Sequence, residues 1–213
     1  MATLKVVIVA GGLSHERDVS IRSGRRGAQT RRDQGMDVQM WDLDPRLLPR
    51  LAEWRPDVVW PLVHGADGEE GSLQDLFAIL GVPFVGANGH QARIAFHKPT
   101  AKALMRAVGV ATPRWVTLRQ SLFRQVGAKG VLDAIVTRLG LPLVVKPADG
   151  GSALGVTVVR DARDLPEAMV GCFAYTDEAL IEEYVDGTEI AASLVAAEDG
   201  VRARAFRAGN FST

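Results

Sequence analysis

The spacing of apolar residues in this chain changes partway along its length. Residues 4–12, LKVVIVAGG, carry an apolar run over residues 6–10 that ends in two glycines, the pattern of a parallel strand buried on both faces. Residues 20–34 follow with helix-compatible spacing, their start marked by SHERDVS. VQMWDLD predicts a second strand, residues 47–54 a short helix, and DVVWPLVHG a third strand ending in a glycine turn. Residues 72–80 predict a helix with Ser72 as its N-cap. VPFVGAN predicts a fourth strand, stopped by Gly86 and Asn88. Strands that alternate with helices need crossover connections, so this part of the chain predicts a mostly parallel sheet. Such sheets gather their functional loops at the carboxyl ends of the strands, here residues 11–20 and 64–71.

Past Asn88 the pattern is different. Residues 98–108 predict a helix, 113–118 a short strand and 130–139 a second helix. VVKP, a glycine turn, GVTVV, a helix at 165–171 and the strand ALIEEYV come next. GTEIAASLVAAEDGVRARAF predicts an antiparallel hairpin turning at Asp199-Gly200. The expected fold class is therefore α/β, with a parallel-sheet domain over residues 1–95 and an α+β domain over 96–213.

Composition narrows the function. With 25 acidic and 25 basic residues in 213, the net charge is zero, which argues against a nucleic acid or a membrane surface as the main partner. The single cysteine, Cys172, excludes a disulfide framework and a cysteine-ligated zinc, and fits a reducing cytoplasm. The apolar run at 6–10 is too short to span a bilayer and reads as a strand rather than a signal peptide.

Three segments carry candidate chemistry. In LPLVVKPADGGSALGV, Lys146 sits in an apolar strand just before a turn containing Gly150, Gly151, Ser152 and Gly155. A buried lysine is costly unless an anion meets it, and glycine-rich turns expose backbone N–H groups that bind anions, so the run suits a phosphate under a flap. A strand with a snorkelling lysine and an ordinary hairpin turn fits the same residues. In GGLSHERDVS, Glu16 stands where the first strand turns into a helix; it could meet an ammonium group or simply favour the first helical turn. The glycines there are not spaced as in a dinucleotide-binding loop. In HGADGEEGSLQ, three glycines within seven residues bend the backbone sharply beside His64, which could orient a carboxylate or be structural.

In this order GGLSHERDVSIRSG, HGADGEEGSLQ and VVKPADGGSALGV, followed by IEEYVDGTE, resemble the D-alanine–D-alanine ligases of the ATP-grasp superfamily. The resemblance implies a Rossmann-like N-terminal domain followed by an ATP-grasp lid domain, with ATP and magnesium as cofactors. Carried over by motif, Glu16 would bind the ammonium of the first D-alanine, with His64 in the same subsite. Lys98, in FHKPTAK, and Lys146 would contact ATP phosphates, and Ser152 would close the flap and bond to Glu16. Glu182, Glu183, Tyr184 and Val185 would form the adenine segment, and Glu189 would take the ribose hydroxyls. By the residues alone, Glu182 and Glu183 could equally mark a solvated edge strand, and Glu189 a surface carboxylate. The implied reaction is ATP-dependent formation of the D-alanyl-D-alanine dipeptide for peptidoglycan synthesis, through an acyl phosphate, in the cytoplasm; a homodimer is an open possibility for the assembly.

Two positions depart from the family pattern: His97 where an acid is usual before Lys98, and Ala153 where a second serine is common. The family's metal carboxylates, an oxyanion-stabilising arginine and a substrate-network tyrosine are expected past Thr213. The chain is therefore expected to be incomplete and to join no alanines by itself. A non-catalytic or split nucleotide-binding module, and a ligase with another acceptor such as a 2-hydroxy acid, stay open.

Overall fold

A computed structural model describes residues 3–188, 190–191, 194–196, 203–205 and 209–210. The chain forms two compact units, Met1–Glu183 and Tyr184–Thr213.

The first unit opens with a parallel sheet ordered β2-β1-β3, formed by β1 (Lys5–Val9), β2 (Asp37–Trp41) and β3 (Val58–Pro61). Helix α1 (Arg17–Asp33) covers one face and packs close because small residues line its buried side. A Cβ at Gly24 would lie 2.6 Å from the Cβ of Ala10 and 2.8 Å from Met40 Cε. On the other face, α2 (Leu47–Trp54) and α4 (Ser72–Ile79) bury Leu47, Leu51, Leu73 and Phe77 against Val7, Val9 and Val59. A one-turn helix, α3 (Ala66–Glu69), precedes α4.

The predicted fourth strand is a single parallel bridge between Val59 and Phe84. Pro83 has no N–H to donate and Gly86 turns the chain with φ 132°, so the ladder cannot lengthen. Two other expectations need correction. Ser72 is not the N-cap of α4: that place belongs to Gly71 at φ 100°, where a Cβ would meet the Gly89 carbonyl oxygen at 2.3 Å. Asn88 does not end a strand but caps α5 (Gly89–Phe96) in a reciprocal capping box with Gln91.

After α6 (Lys98–Ala107) comes an antiparallel sheet ordered β4-β7-β5-β6, from β4 (Trp115–Arg119), β5 (Leu143–Pro147), β6 (Thr157–Val159) and β7 (Glu178–Glu183). Strand alternation separates its two faces. Leu143, Val145, Val159, Ala179 and Ile181 pack under α8 (Ala128–Leu139) and α9 (Leu165–Phe173). Cys172 lies in this core, where burial pushes its thiol up to about 11. Trp115, Val144, Lys146, Leu180 and Glu182 occupy alternate positions and so belong to the other face. A short helix, α7 (Gln120–Val126), joins β4 to α8; residue pattern alone did not predict it.

In the second unit, β8 (Ile190–Ala191) pairs with β11 (Gly209–Asn210), and β9 (Leu194–Ala196) with β10 (Ala203–Ala205), all antiparallel. The β9–β10 pairing is that of the expected hairpin; its turn at Asp199-Gly200 lies outside the described residues.

Candidate functional site

The loop after β1 is pinned from three directions. Ser20 is buried; its hydroxyl accepts from the Gly11 N–H at 2.8 Å and donates to the Leu62 carbonyl at 2.6 Å. Arg17 donates to the Gly12 carbonyl at 2.7 Å and pairs with Asp42, which accepts from the Gly12 N–H at 3.0 Å. Hydrogen bonding from Arg17 holds the Asp42 carboxyl down at about 2, against the opposing effect of burial. The Ser14 hydroxyl donates to the His64 carbonyl at 2.8 Å, which ties this loop to the loop after β3.

Glu16 occupies the N-cap position of α1, yet its side chain makes no capping bond. It is only 5% exposed and instead accepts a hydrogen bond from the Ser152 hydroxyl. Ser152 belongs to the glycine loop after β5, where it and Ala153 adopt left-handed φ of 49° and 56°. Non-glycine residues hold that conformation at a cost, so the surrounding contacts must impose it. Gly155 closes the loop at φ 67°, tucked so near Tyr175 that a Cβ would come within 2.8 Å of its ring.

Two hollows meet at this loop. One, of about 380 Å³, is lined by Ser14, Glu16, Asp67, Gly150, Gly151 and Tyr175. The other, of about 520 Å³, is lined by His64, Glu69 and Lys98 and shares Phe96, Gly150 and Gly151 with the first. His64 is held at 3.1 Å from Ser23 through Nε2 and stands 3.9 Å from Glu69 through Nδ1. Burial raises the Glu69 carboxyl above its ordinary range, although the Gly65 N–H donates to it at 3.0 Å.

The lysines converge on the far side of the loop. Lys98 begins α6, its N–H donating to the Ala148 carbonyl at 2.9 Å and its ammonium to the Gly150 carbonyl at 2.7 Å. Burial lowers the Lys98 ammonium below its usual range, and the positive charge of Lys146 lowers it further. Two ammonium groups that repel each other beside a glycine loop suit a polyanion, so the residues present fit a triphosphate. His97 takes over the capping work of an acid: its Nδ1 accepts from the Thr100 N–H at 3.3 Å, and its Nε2 lies 3.6 Å from Glu178.

Glu182 is not on an edge strand. β7 lies between β4 and β5, and Glu182 is 7% exposed with both carboxylate oxygens engaged, by Lys146 on one and by Lys102 at 2.6 Å on the other. Burial pushes its carboxyl up, but the hydrogen bonds from the two lysines outweigh this and leave it lowered. Glu183 pairs with Arg114, whose backbone N–H also donates to it at 2.9 Å. Tyr184 is half-buried and Val185 exposed, both in the second unit. Glu189 lies outside the described residues.

The structure thus brings Glu16 and Ser152 together, and Lys98, Lys146 and Glu182 together. Sequence reasoning missed Lys102, Arg114 and Glu69. Lys102 had a usable signal, since it stands four residues after Lys98 on one helical face. Among the described residues, no group of three or more His, Cys, Asp or Glu is placed to hold a metal ion. None of their helices is long and apolar enough to cross a membrane.

A family profile described as D-ala D-ala ligase C-terminus matches residues 104–208. A D-alanine–D-alanine ligase of Gloeobacter violaceus is 39% identical over 192 residues, covering 90% of this chain and 62% of that protein. One from Coprothermobacter proteolyticus is 34% identical over the same shares. The chain therefore spans about 62% of the length of the curated relatives it matches. Among solved structures, the D-alanine–D-alanine ligase of Coxiella burnetii superposes with a TM-score of 0.79 at 24% identity, covering 95% of this chain and 69% of that one, a likeness of fold. The Bacillus anthracis D-alanine–D-alanine ligase complexed with ATP gives a TM-score of 0.72 at 28% identity, over 90% of this chain and 63% of that one.

Proposed function

We propose, for a chain that belongs to the D-alanine–D-alanine ligase family, that it carries the amino-acid site and nucleotide lid of an enzyme joining two D-alanines with cleavage of ATP. The observation that carries this reading is the placement of two opposite charges around Gly150-Gly151. The Glu16 carboxylate lies on one side of that pair and the desolvated Lys98 ammonium on the other. A zwitterion beside a polyphosphate needs that arrangement.

In this reading Glu16 receives the ammonium of the first D-alanine, and His64 and Glu69 border the same subsite. Lys98 and Lys146 bind phosphate oxygens, while Ser152 holds the flap down. Glu182 and Glu183, at the end of β7, border the purine. The carboxylate of the first amino acid takes the terminal phosphoryl group, the amine of the second attacks the resulting acyl phosphate, and phosphate leaves. Positioning and charge neutralisation by these side chains would supply most of the rate enhancement. The product would feed peptidoglycan synthesis. We also place a domain boundary between residues 95 and 96, since each sheet has its own apolar core. The lone buried thiol of Cys172 supports a cytoplasmic setting.

Calorimetric titration tests the reading. The chain should bind a non-hydrolysable ATP analogue, and D-alanine in preference to L-alanine. Heats of mixing that show neither would overturn it.

A further inference from the structure

Glu182 presents an asymmetry that phosphate binding by Lys146 leaves unexplained. Its two lysine partners are not equivalent. The Lys102 side chain is 12% exposed and held by three groups: Glu182 at 2.6 Å, the Thr112 hydroxyl at 2.7 Å and the Trp115 ring at 4.8 Å from its centroid. The Lys146 side chain is 23% exposed, about twice as much, and stands beside the Lys98 ammonium and the glycine loop. Lys102 is thus held on three sides, whereas Lys146 is the more exposed partner of Glu182.

We infer that Lys102 is a positioning residue that keeps Glu182 neutralised when Lys146 leaves it for a nucleotide phosphate. The inference rests on the ATP reading above. A buried carboxylate stripped of its counter-ion is strongly unfavourable. With Lys102 in place, Lys146 exchanges one anion for another and Glu182 is never left alone. Without Lys102, every phosphate contact made by Lys146 would abandon a buried negative charge. The spacing of α6 serves both tasks: Lys98 and Lys102, four residues apart, point one ammonium at the loop carbonyl and the other at the sheet. A lysine that only stapled α6 to the sheet would act differently, since its loss would weaken every ligand of the site alike.

The test is calorimetric titration of the full chain with ATP and, separately, with adenosine, which lacks phosphate. K102M should weaken ATP roughly tenfold, the scale of one charge-assisted hydrogen bond, and change adenosine by less than about twofold. In the E182Q background, where no buried charge needs a partner, K102M should change ATP affinity by less than about twofold. K102R, which keeps the charge, should restore ATP binding to within about threefold of the unmodified chain, and this variant decides the matter should K102M fail to fold. Equal losses for ATP and adenosine, or a tenfold ATP loss that persists beside E182Q, would overturn the inference while leaving the ATP reading intact. An unmodified chain that binds adenosine but gains nothing from phosphate would overturn both.

Discussion

Ser152 and Glu16 lie 136 residues apart in the chain, yet the hydroxyl of one donates to the carboxylate of the other. That bond joins the loop after β5 to the start of α1, and it removes the simplest account of Glu16. A carboxylate at a helix start that makes no capping bond and is nearly fully buried is held instead by the loop after β5.

If the bond latches the flap, S152A should free it. Hydrogen exchange at residues 150–154 is expected to speed up roughly tenfold, with little change in melting temperature, because the loop opens locally. Exchange that stays as slow as in the unmodified chain would show that the loop is held by other contacts.

Glu16→Gln separates recognition from helix support. Far-UV circular dichroism should be unchanged, since no capping bond is lost. D-alanine affinity should fall about tenfold, the loss of one charged hydrogen bond to an ammonium. Lower helix content with unchanged D-alanine binding would reverse the assignment.

Lys146→Ala should weaken an ATP analogue by about 1.5–3 kcal/mol in a calorimetric titration, the usual scale for a charged hydrogen bond. It should leave Glu182 paired with Lys102, so the fold should survive. Unchanged affinity would remove Lys146 from the phosphate site.

The Arg17–Asp42 pair predicts an acid-limb effect. The folded Asp42 carboxyl titrates at about 2, below its ordinary 3.8, so the unfolded chain binds the proton more readily. Its stabilising contribution is complete above the unfolded value and is lost as pH falls from about 4 toward 2. Because the pair is partly exposed, solvent limits it to about 1 kcal/mol. Urea unfolding at a series of pH values should show a shallower acid limb for Asp42→Asn than for the unmodified chain.

Gly68→Ala should destabilise the chain by roughly 2 kcal/mol or more, because a Cβ there would sit 2.1 Å from the Val63 carbonyl oxygen, a backbone atom that cannot rotate away. Denaturant unfolding reads the loss directly.

The sheets, the helix that begins at Lys98 and the glycine loop were legible because each depends on local pattern. The first sheet lost its fourth strand to Pro83, whose missing donor is visible in the sequence but whose effect depends on which neighbour it faces. α5 was hidden behind Asn88, a residue that both stops strands and starts helices. Lys146 stood out as a charge among β-formers, while its partner did not: Glu182 reads as an edge carboxylate until β7 is placed between two neighbours. Whether Glu16 caps a helix could not be read locally, because the group that claims it comes from another part of the chain.

The position of β7 has one more consequence. Ile181 faces the apolar core, Glu182 the charged side, and Glu183 the direction of Ile181 again, where Arg114 at the rim receives it. If β7 slid by one residue against β4 and β5, Ile181 would move among the lysines and Glu182 would enter the hydrocarbon under α8 and α9. Misregistered pairing would thus strand charge and oil on the wrong sides at once. The ammonium groups of Lys102 and Lys146 that pair with Glu182 also act as a checksum on folding, rejecting a sheet that has closed one notch out of place.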